Sequence, residues 1–305
     1  MNNSMKYNLQ NVFDDLSVDE SVLTEEHKSN LLNNGYTLFK ISEAEWLERG
    51  IDIELISNVT NELIEKESWK GGWDHIKHEI KEGHHPEPGA QRLNNLLNKH
   101  CCYRKVFTIP EILCAAKFLI KNEFRLSQMI LRMPFPGTGE MPWHIDWMPR
   151  KKNSEPIRSV LSSLLLDDYY KENGSTSVIP GSHKFLKAPD EDGYIYQEHP
   201  DAVYVEAPRG SLLIWDINLW HRGNKNINGK RRRQLNINYR DVNIWQQINF
   251  KKNLSKELFD SFTEAELYLL KARDSDPERN DWLFKHRNNF FVKKGLNLLL
   301  DLKGA

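Results

Sequence analysis

Cysteine is scarce in this chain of 305 residues: only Cys101, Cys102 and Cys114 occur. An odd count with two neighbours adjacent does not make a disulfide framework. The spacing is also wrong for zinc, so the three read as reduced structural thiols. Long apolar runs are missing as well. Runs such as Leu164–Leu166 and Leu298–Leu300 fall far short of the ~20 residues that span a bilayer. The opening Met-Asn-Asn-Ser-Met-Lys-Tyr-Asn lacks the apolar centre of a secretory signal, and a cytoplasmic protein is the expectation. Neither sign of charge dominates: 42 Lys and Arg face 43 Asp and Glu, for a net charge of -1. No global field then favours nucleic acid or a membrane as partner. Internal repeats and low-complexity linkers are absent too. What remains is 39% hydrophobic and 28% charged, ordinary for a globular protein and enough for one large domain with extensions.

The pattern along the chain changes in stages. Residues 1–122 read as mostly helical. Ser17 and Glu20 have capping-box spacing, and Glu25 to Asn34 carries a helical pattern stopped by Gly35. Tyr36-Thr37-Leu38-Phe39 reads as a short strand. Leu55 to Glu67 predicts an amphipathic helix with Leu55, Ile56, Val59, Leu63 and Ile64 on one face. Gly83 to Gly89 reads as a loop, and Pro110 opens another helix through Lys121. Over 123–245, short apolar runs alternate with turn signals at Pro134–Gly139, Asn173-Gly174, Pro180-Gly181, Arg209-Gly210 and Asn228-Gly229, which suggests a β barrel or sandwich. Residues 254–305 return to helix, with Thr263 and Glu266 in capping-box spacing and Leu267, Leu270, Leu283 and Phe284 supplying apolar faces. That tail is expected to pack on the barrel or to form a homodimer contact.

Chemistry concentrates in Met141-Pro142-Trp143-His144-Ile145-Asp146-Trp147. On a strand, residues two apart share a face, so His144 and Asp146 would project together. Such a pair alone is common and says little. A second histidine, His221, follows the Gly-led apolar run Gly210 to Trp220. Two histidines and one carboxylate make a facial triad that leaves three positions open, as non-haem iron needs for a co-substrate and O₂; a zinc hydrolase would keep one.

Eleven residues after His221 stands Arg232, inside Lys230-Arg231-Arg232-Arg233. A guanidinium matches the far carboxylate of a metal-chelating 2-oxoglutarate. Alternation in the following run groups Arg232 with Gln234, Asn236 and Asn238, and Arg233 with Leu235, Ile237 and Tyr239. The competing reading is a solvated basic turn.

Weaker candidates surround these. Gln128, Ile130 and Arg132 share one strand face, inside or outside; inside, Gln128 and Arg132 could touch 2-oxoglutarate or an acidic substrate. Trp147 and Arg150 follow Asp146, where a substrate could stack or pair, and Trp147 could equally be core. Ser162 and Ser163 could line the pocket, with Ser163 the candidate for 2-oxoglutarate. Arg158 joins Arg132 and Arg150 as a charge suited to an anionic substrate. His75 and His78, near Trp73, lack further ligands and read as a surface pair.

Taken together these segments resemble the phytanoyl-CoA dioxygenase family. Leu23-Thr24-Glu25-Glu26 through Gly35-Tyr36 looks like its opening helix and strand. Pro134 to Asp146 resembles its first-ligand segment, and Asn173-Gly174 through Ile179-Pro180-Gly181-Ser182-His183-Lys184 its hairpin and Pro-Gly-Ser-His turn. Gly210 to His221 and Arg232-x-x-Leu235 complete a match over roughly residues 23–240. The resemblance implies a mainly β chain with flanking helices, a double-stranded β-helix (jelly roll, cupin-like) core at 123–245, and one oxygenase domain over 1–305. It implies Fe(II), 2-oxoglutarate and O₂. His144, Asp146 and His221 would be the catalytic metal ligands. Arg232 would hold the 2-oxoglutarate C5 carboxylate, with Arg231 or Arg233 substituting if the register slips. His183 would be structural. Halogenating relatives replace the carboxylate ligand with a small residue, so the retained Asp146 implies oxidation, with hydroxylation of a small molecule first and desaturation, cyclisation or epimerisation as alternatives. The segment after Asp146 and the region after 254 depart from the family, and both bear on the substrate. A binding module without catalysis is the reading from another class, and nucleic-acid demethylation lacks an extended basic stripe.

Overall fold

The computed structural model describes residues 7–72, 87 and 89–276. Nine strands are described: β1 Tyr36–Phe39, β2 Ala90–Leu93, β3 Phe124–Pro134, β4 Ser159–Leu165, β5 Thr176–Val178, β6 Val203–Tyr204, β7 Leu212–Asp216, β8 His221–Gly223 and β9 Gln234–Asp241. They form a six-stranded sheet in the order β1-β7-β4-β9-β3-β2 and a three-stranded sheet in the order β6-β5-β8. Every pairing in both is antiparallel. Strands that are distant in sequence therefore lie side by side, β3 next to β9 and β4 between β9 and β7.

The large sheet separates two environments by residue parity. One face carries Leu126, Met129 and Leu131 of β3, Val160 and Leu164 of β4, Leu212 and Ile214 of β7, and Leu235, Ile237 and Tyr239 of β9, all in the main apolar core. Helices cover it: Ile53–Glu67, Pro110–Ile120 and Glu264–Leu270 contribute Ile53, Ile56, Ile112, Leu113, Leu269 and Leu270. Burying each such side chain stabilises the fold by about 1.5–3 kcal/mol. A bulge between Leu126 and Gln128 keeps Leu126 and Met129 on the same face. The displaced Ser127 accepts a hydrogen bond from the Gln247 amide through its hydroxyl and from the Ile248 amide through its carbonyl. The opposite face, turned towards the small sheet, carries Gln128, Ile130 and Arg132 beside Asn238, Asn236 and Gln234. Those three in turn lie beside Leu161, Ser163 and Leu165.

Most expected elements are present, with corrections. The helix expected from Leu55 begins at Ile53, because the Asp52 side chain accepts from the Leu55 amide and caps it; Leu55 is exposed, and Ile53 replaces it on the buried face. Ser17 caps nothing. It sits at φ 51°, and Asp19 caps the short 3-10 turn Glu20–Val22 instead. Strand β2 was not anticipated. The Thr263–Glu266 capping box forms as expected, and its helix packs against Leu9, Val12 and Phe13 in the core. Trp73, His75, His78, most of Gly83–Gly89, Leu283, Phe284 and Leu298–Leu300 lie outside the described residues. Among the described residues, no helix is long and apolar enough to cross a membrane.

Candidate metal centre

His221 opens β8, where Val178 of β5 pairs with it on one side. On its other side His144 forms an antiparallel bridge, each residue's amide donating to the other's carbonyl at 3.0 and 3.1 Å. The first-ligand segment thus adds itself to the edge of the small sheet, although it does not continue as a regular strand. Past His144 it bends, and the Asp146 amide donates to the Ile217 carbonyl instead. The Pro-Gly-Ser-His turn secures this edge. The Ser182 hydroxyl accepts from the Trp220 amide at 2.8 Å and the Ile179 amide donates to the Trp220 carbonyl.

The two histidines and the aspartate converge. One candidate ligand atom from each of His144, Asp146 and His221 lies within 4.8 Å of the others. His221 Nε2 is 3.2 Å from Asp146 Oδ2, and His144 Nε2 is 3.9 Å from Asp146 Oδ1. Each imidazole is oriented by its other nitrogen. His144 Nδ1 donates to the Pro142 carbonyl at 2.8 Å and His221 Nδ1 to the Leu219 carbonyl at 2.9 Å. A carbonyl only accepts, so both Nδ1 atoms carry hydrogen and both Nε2 lone pairs are free to face an ion.

Electrostatics suit a cation. Burial, helped by His221, pushes His144 down to about 4, so it is neutral at physiological pH. For Asp146, burial acts upward, but the two histidines and Arg240 outweigh it and hold the carboxyl down at about 2. Burial also acts on His221, downward, yet Asp146 beside it raises its pKa overall.

Arg232 lies 1% exposed just before β9. Its Nη1 donates to the Tyr169 hydroxyl at 3.1 Å and to Gln234 Oε1 at 2.9 Å, whereas its Nε and Nη2 are buried without any partner among the described residues. Arg132 reaches the same place from β3. Its Nε and Nη2 bond Glu87 and its Nη2 also the Gly139 carbonyl. Between the two guanidiniums passes Gly223, two residues beyond His221. A Cβ there would lie 3.3 Å from Arg132 Nη1 and 3.7 Å from Arg232 Nη2. A buried guanidinium with two donor nitrogens that lack a partner among the described residues, and a glycine that keeps the space clear, fit a carboxylate from a metal-bound diacid.

Other expected residues separate clearly. Gln128 and Ser163 face inwards. Ser163 Oγ donates to Asn236 Oδ1 at 2.6 Å, and Gln234 Nε2 donates to both Asn236 Oδ1 and Ser163 Oγ. Ser162 faces the helices and donates to the Ile237 carbonyl. Trp147 packs partly buried against Leu161, Leu213 and Trp215, under the Arg240 guanidinium. Arg150 does not meet the expectation of a substrate contact. Its Nη1 bonds the fully buried Asp216 at 2.9 Å and its Nη2 the His183 carbonyl at 2.6 Å. It ties the loop after Asp146 to the turn before His221. Arg158 is likewise taken up by Asp241 at 2.8 Å. Arg231 and Arg233 do not share the Arg232 position: both reach Asn61, and Arg233 is forked onto Asp167. His183 is far from being a ligand, since its Nε2 donates to the Leu32 carbonyl at 3.2 Å. Sequence reasoning missed Tyr169, Gly223 and Arg240. Arg240 continues the alternation of Arg232, Gln234, Asn236 and Asn238, the one signal that was available.

The model of the phytanoyl-CoA dioxygenase (PhyH) family matches residues 18–234. The chain belongs to that family. The matched residues include His144, Asp146 and His221, the cluster that could hold a metal ion. Among curated proteins the chain is similar to the uncharacterized protein Rv1501 of Mycobacterium tuberculosis, 34% identical over 98 residues, 32% of this chain and 34% of that one. It also resembles the dioxygenase af480 of Aspergillus fumigatus, 26% identical over 183 residues, 57% of this chain and 56% of that one. The matches thus span about a third and just over half of those relatives. Among solved structures, this PhyH member resembles the non-heme alpha ketoglutarate dependent carbocyclase SnoK from nogalamycin biosynthesis, with TM-score 0.55 and 18% identity over 77% of this chain and 92% of that one. HygX from Streptomyces hygroscopicus, solved with nickel and 2-oxoglutarate bound, gives TM-score 0.52 and 14% identity over 73% of this chain and 89% of that one. At such identities the likeness concerns the fold.

Proposed function

We propose that this PhyH member holds Fe(II) through His144, Asp146 and His221, anchors the 2-oxoglutarate C5 carboxylate on Arg232, and hydroxylates an unactivated C–H bond of a small molecule. The observation that carries the reading is Arg232: a 1%-exposed guanidinium whose Nε and Nη2 have no partner among the described residues, beside Gly223 in the strand that His221 opens. Leaving such donors unmet costs about 1–3 kcal/mol or more for a charged group, and a diacid reaching from the metal would satisfy them. We read the two sheets with the first-ligand segment as a double-stranded β-helix, and the chain as a single oxygenase domain.

Bound iron, 2-oxoglutarate and O₂ supply the oxidising equivalents, with succinate and CO₂ as co-products. The chain supplies geometry. His144 and His221 present Nε2 lone pairs fixed by the Pro142 and Leu219 carbonyls. Asp146 gives the carboxylate and keeps the site near neutrality. Tyr169 and Gln234 hold Arg232 from one side only, leaving its other edge for the co-substrate. Gln128 and Asn238 place amide groups on the inward face beside one another, where they can meet substrate. The retained Asp146 favours oxygenation over halide uptake. Because SnoK is a carbocyclase and a similar structure, SnoN, an epimerase, the fate of the carbon after hydrogen abstraction rests with the substrate and its placement. The test is anaerobic addition of Fe(II) and 2-oxoglutarate to the purified chain, then O₂. The weak visible charge-transfer band, followed by iron-dependent succinate formation that His144→Ala abolishes, is expected. Absence of both the band and 2-oxoglutarate binding refutes the reading.

A further inference from the structure

Arg240 ends the inward row of β9 that Arg232 leads into. It is 7% exposed. Its Nε donates to Asn238 Oδ1 at 3.1 Å and its Nη1 reaches the Trp245 carbonyl at 3.5 Å, while its Nη2 has no hydrogen-bond partner among the described residues. No carboxylate forms an ion pair with it there, in contrast to Arg132, Arg150, Arg158 and Arg233, each of which has one. The guanidinium lies over the Trp147 ring, 4.9 Å from its centroid. The contact holds the guanidinium in place while its Nη2 stays available to a carboxylate.

Its placement relative to the metal centre is the second observation. Burial pushes Arg240 down to about 10, and Asp146 acts on it in the opposite direction. Elsewhere, Arg132 and Arg232 both approach Gly223, two residues beyond His221. Two separate cationic positions therefore adjoin the triad, Arg132 with Arg232 beside Gly223 and Arg240 over Trp147, the residue after Asp146. Arg232 and Arg240 stand eight residues apart along nearly extended chain, on the order of 25 Å between their backbones. A single five-carbon diacid anchored on Arg232 does not reach Arg240, so the second cation is left for another molecule.

We propose that Arg240, stacked on Trp147, binds a carboxylate group of the substrate and so sets which C–H bond stands before the metal. This rests on the assignment of Arg232 to 2-oxoglutarate. A singly charged carboxylate suits the site better than a dianionic phosphate. One guanidinium balances one negative charge, and Asp146 nearby already supplies another. The amide of Gln128 and the Nδ2 of Asn238, next along the same face, would bond polar atoms adjacent to that carboxylate.

The experiment uses the full chain loaded with Ni(II) and saturated with 2-oxoglutarate, so that the Arg232 position is filled. Acetate and benzoate are titrated by calorimetry against their neutral counterparts, acetamide and benzamide. The acids are expected to bind with millimolar dissociation constants, at least about 10-fold more tightly than the amides. Arg240→Gln should erase that difference and Arg240→Lys should restore part of it. Equal binding of acids and amides to the unaltered protein overturns the proposal without reference to any variant, as does undiminished acid preference in a folded Arg240→Gln protein. Failure of the unaltered protein to bind 2-oxoglutarate with Ni(II) is a different result. It refutes the preceding assignment and is seen before any probe is added.

Discussion

Replacing Arg232 by methionine should move ligand affinity and protein stability in opposite senses. In the unliganded protein the guanidinium is almost fully buried, forms hydrogen bonds only through Nη1, and leaves Nε and Nη2 unmet. Taking a partly satisfied charge out of water is costly, and an apolar side chain of similar length in such a place is often neutral or stabilising by about 1–4 kcal/mol. Against that, Arg232→Met leaves Tyr169 and Gln234 still bonded to each other. The metal-loaded variant without 2-oxoglutarate should therefore melt within about 2 °C of the parent or above it. Affinity behaves otherwise. Two charge-assisted hydrogen bonds at about 1.5–3 kcal/mol each are lost, which corresponds to roughly two to four powers of ten in the dissociation constant at 1.36 kcal/mol per decade. The parent at a hundred times its dissociation constant gains about 2.7 kcal/mol from the ligand, or on the order of 5 °C in melting temperature; the variant at the same concentration should gain none. Calorimetric titration of 2-oxoglutarate into the Ni(II)-loaded proteins, paired with thermal melts, measures both quantities. A loss of affinity smaller than 10-fold, or a large drop in stability without ligand, would show that Arg232 is a structural cation and that its free N–H groups serve nothing in the site.

Gly223→Ala tests the cleared space. Its Cβ would press on Arg132 Nη1 at 3.3 Å and the Gly139 carbonyl at 3.4 Å, so the KM for 2-oxoglutarate should rise by about 10-fold while metal binding is retained, measured by succinate formation. His183→Ala should lower stability by about 1–3 kcal/mol, since a buried side chain bonded to the Leu32 carbonyl is lost, yet leave one Ni(II) bound per chain by metal analysis. A changed metal stoichiometry there would contradict the ligand assignment. Glu266 carries a pH effect. Burial raises its pKa, but the Arg104 fork and the Thr263 amide and hydroxyl outweigh burial and hold it below the ordinary carboxylate value. A folded-state pKa below the unfolded one contributes stability above about pH 4.5 that is lost as pH falls through the folded value. Thermal melts from pH 6 to pH 3.5 should thus fall more steeply for the parent than for Glu266→Gln.

The triad was legible because its spacing is local on each side and its order along the chain carries the family pattern. Its geometry was not, since His144 and His221 meet through a bridge between segments some 77 residues apart. Alternation correctly grouped Arg232 with Gln234, Asn236 and Asn238. The same alternation could not say which face of β3 turns inward. That is decided by Leu126, Met129 and Leu131 having helices to pack against, which leaves Gln128 and Arg132 for the interior. Charge alone misled at Arg150 and Arg158, whose partners Asp216 and Asp241 come from elsewhere in the chain. Tyr169 gave no signal at all, because its hydroxyl matters only where β4 leads into the segment beside Arg232. The capping motif at Ser17 failed for a local reason: Asp19, two residues on, offered a better-placed carboxylate to the Ser21 amide.

The strand β9 shows why function rather than stability explains the polar row. Its two faces share one backbone and the same neighbours, β3 and β4. Outward, Leu235, Ile237 and Tyr239 are fully buried in apolar contact. Inward, Gln234, Asn236, Asn238 and Arg240 replace what could have been an equally apolar row, and Arg232 ahead of them keeps two buried donors unmet. Stability alone would fill that face as it filled the other, as Leu161, Leu213 and Trp215 do nearby between the same sheets. A polar row kept at that cost, with two guanidiniums near the His144, Asp146 and His221 centre that have no carboxylate partner among the described residues, is the arrangement a site needs when two anionic molecules must be held apart yet both brought to the metal.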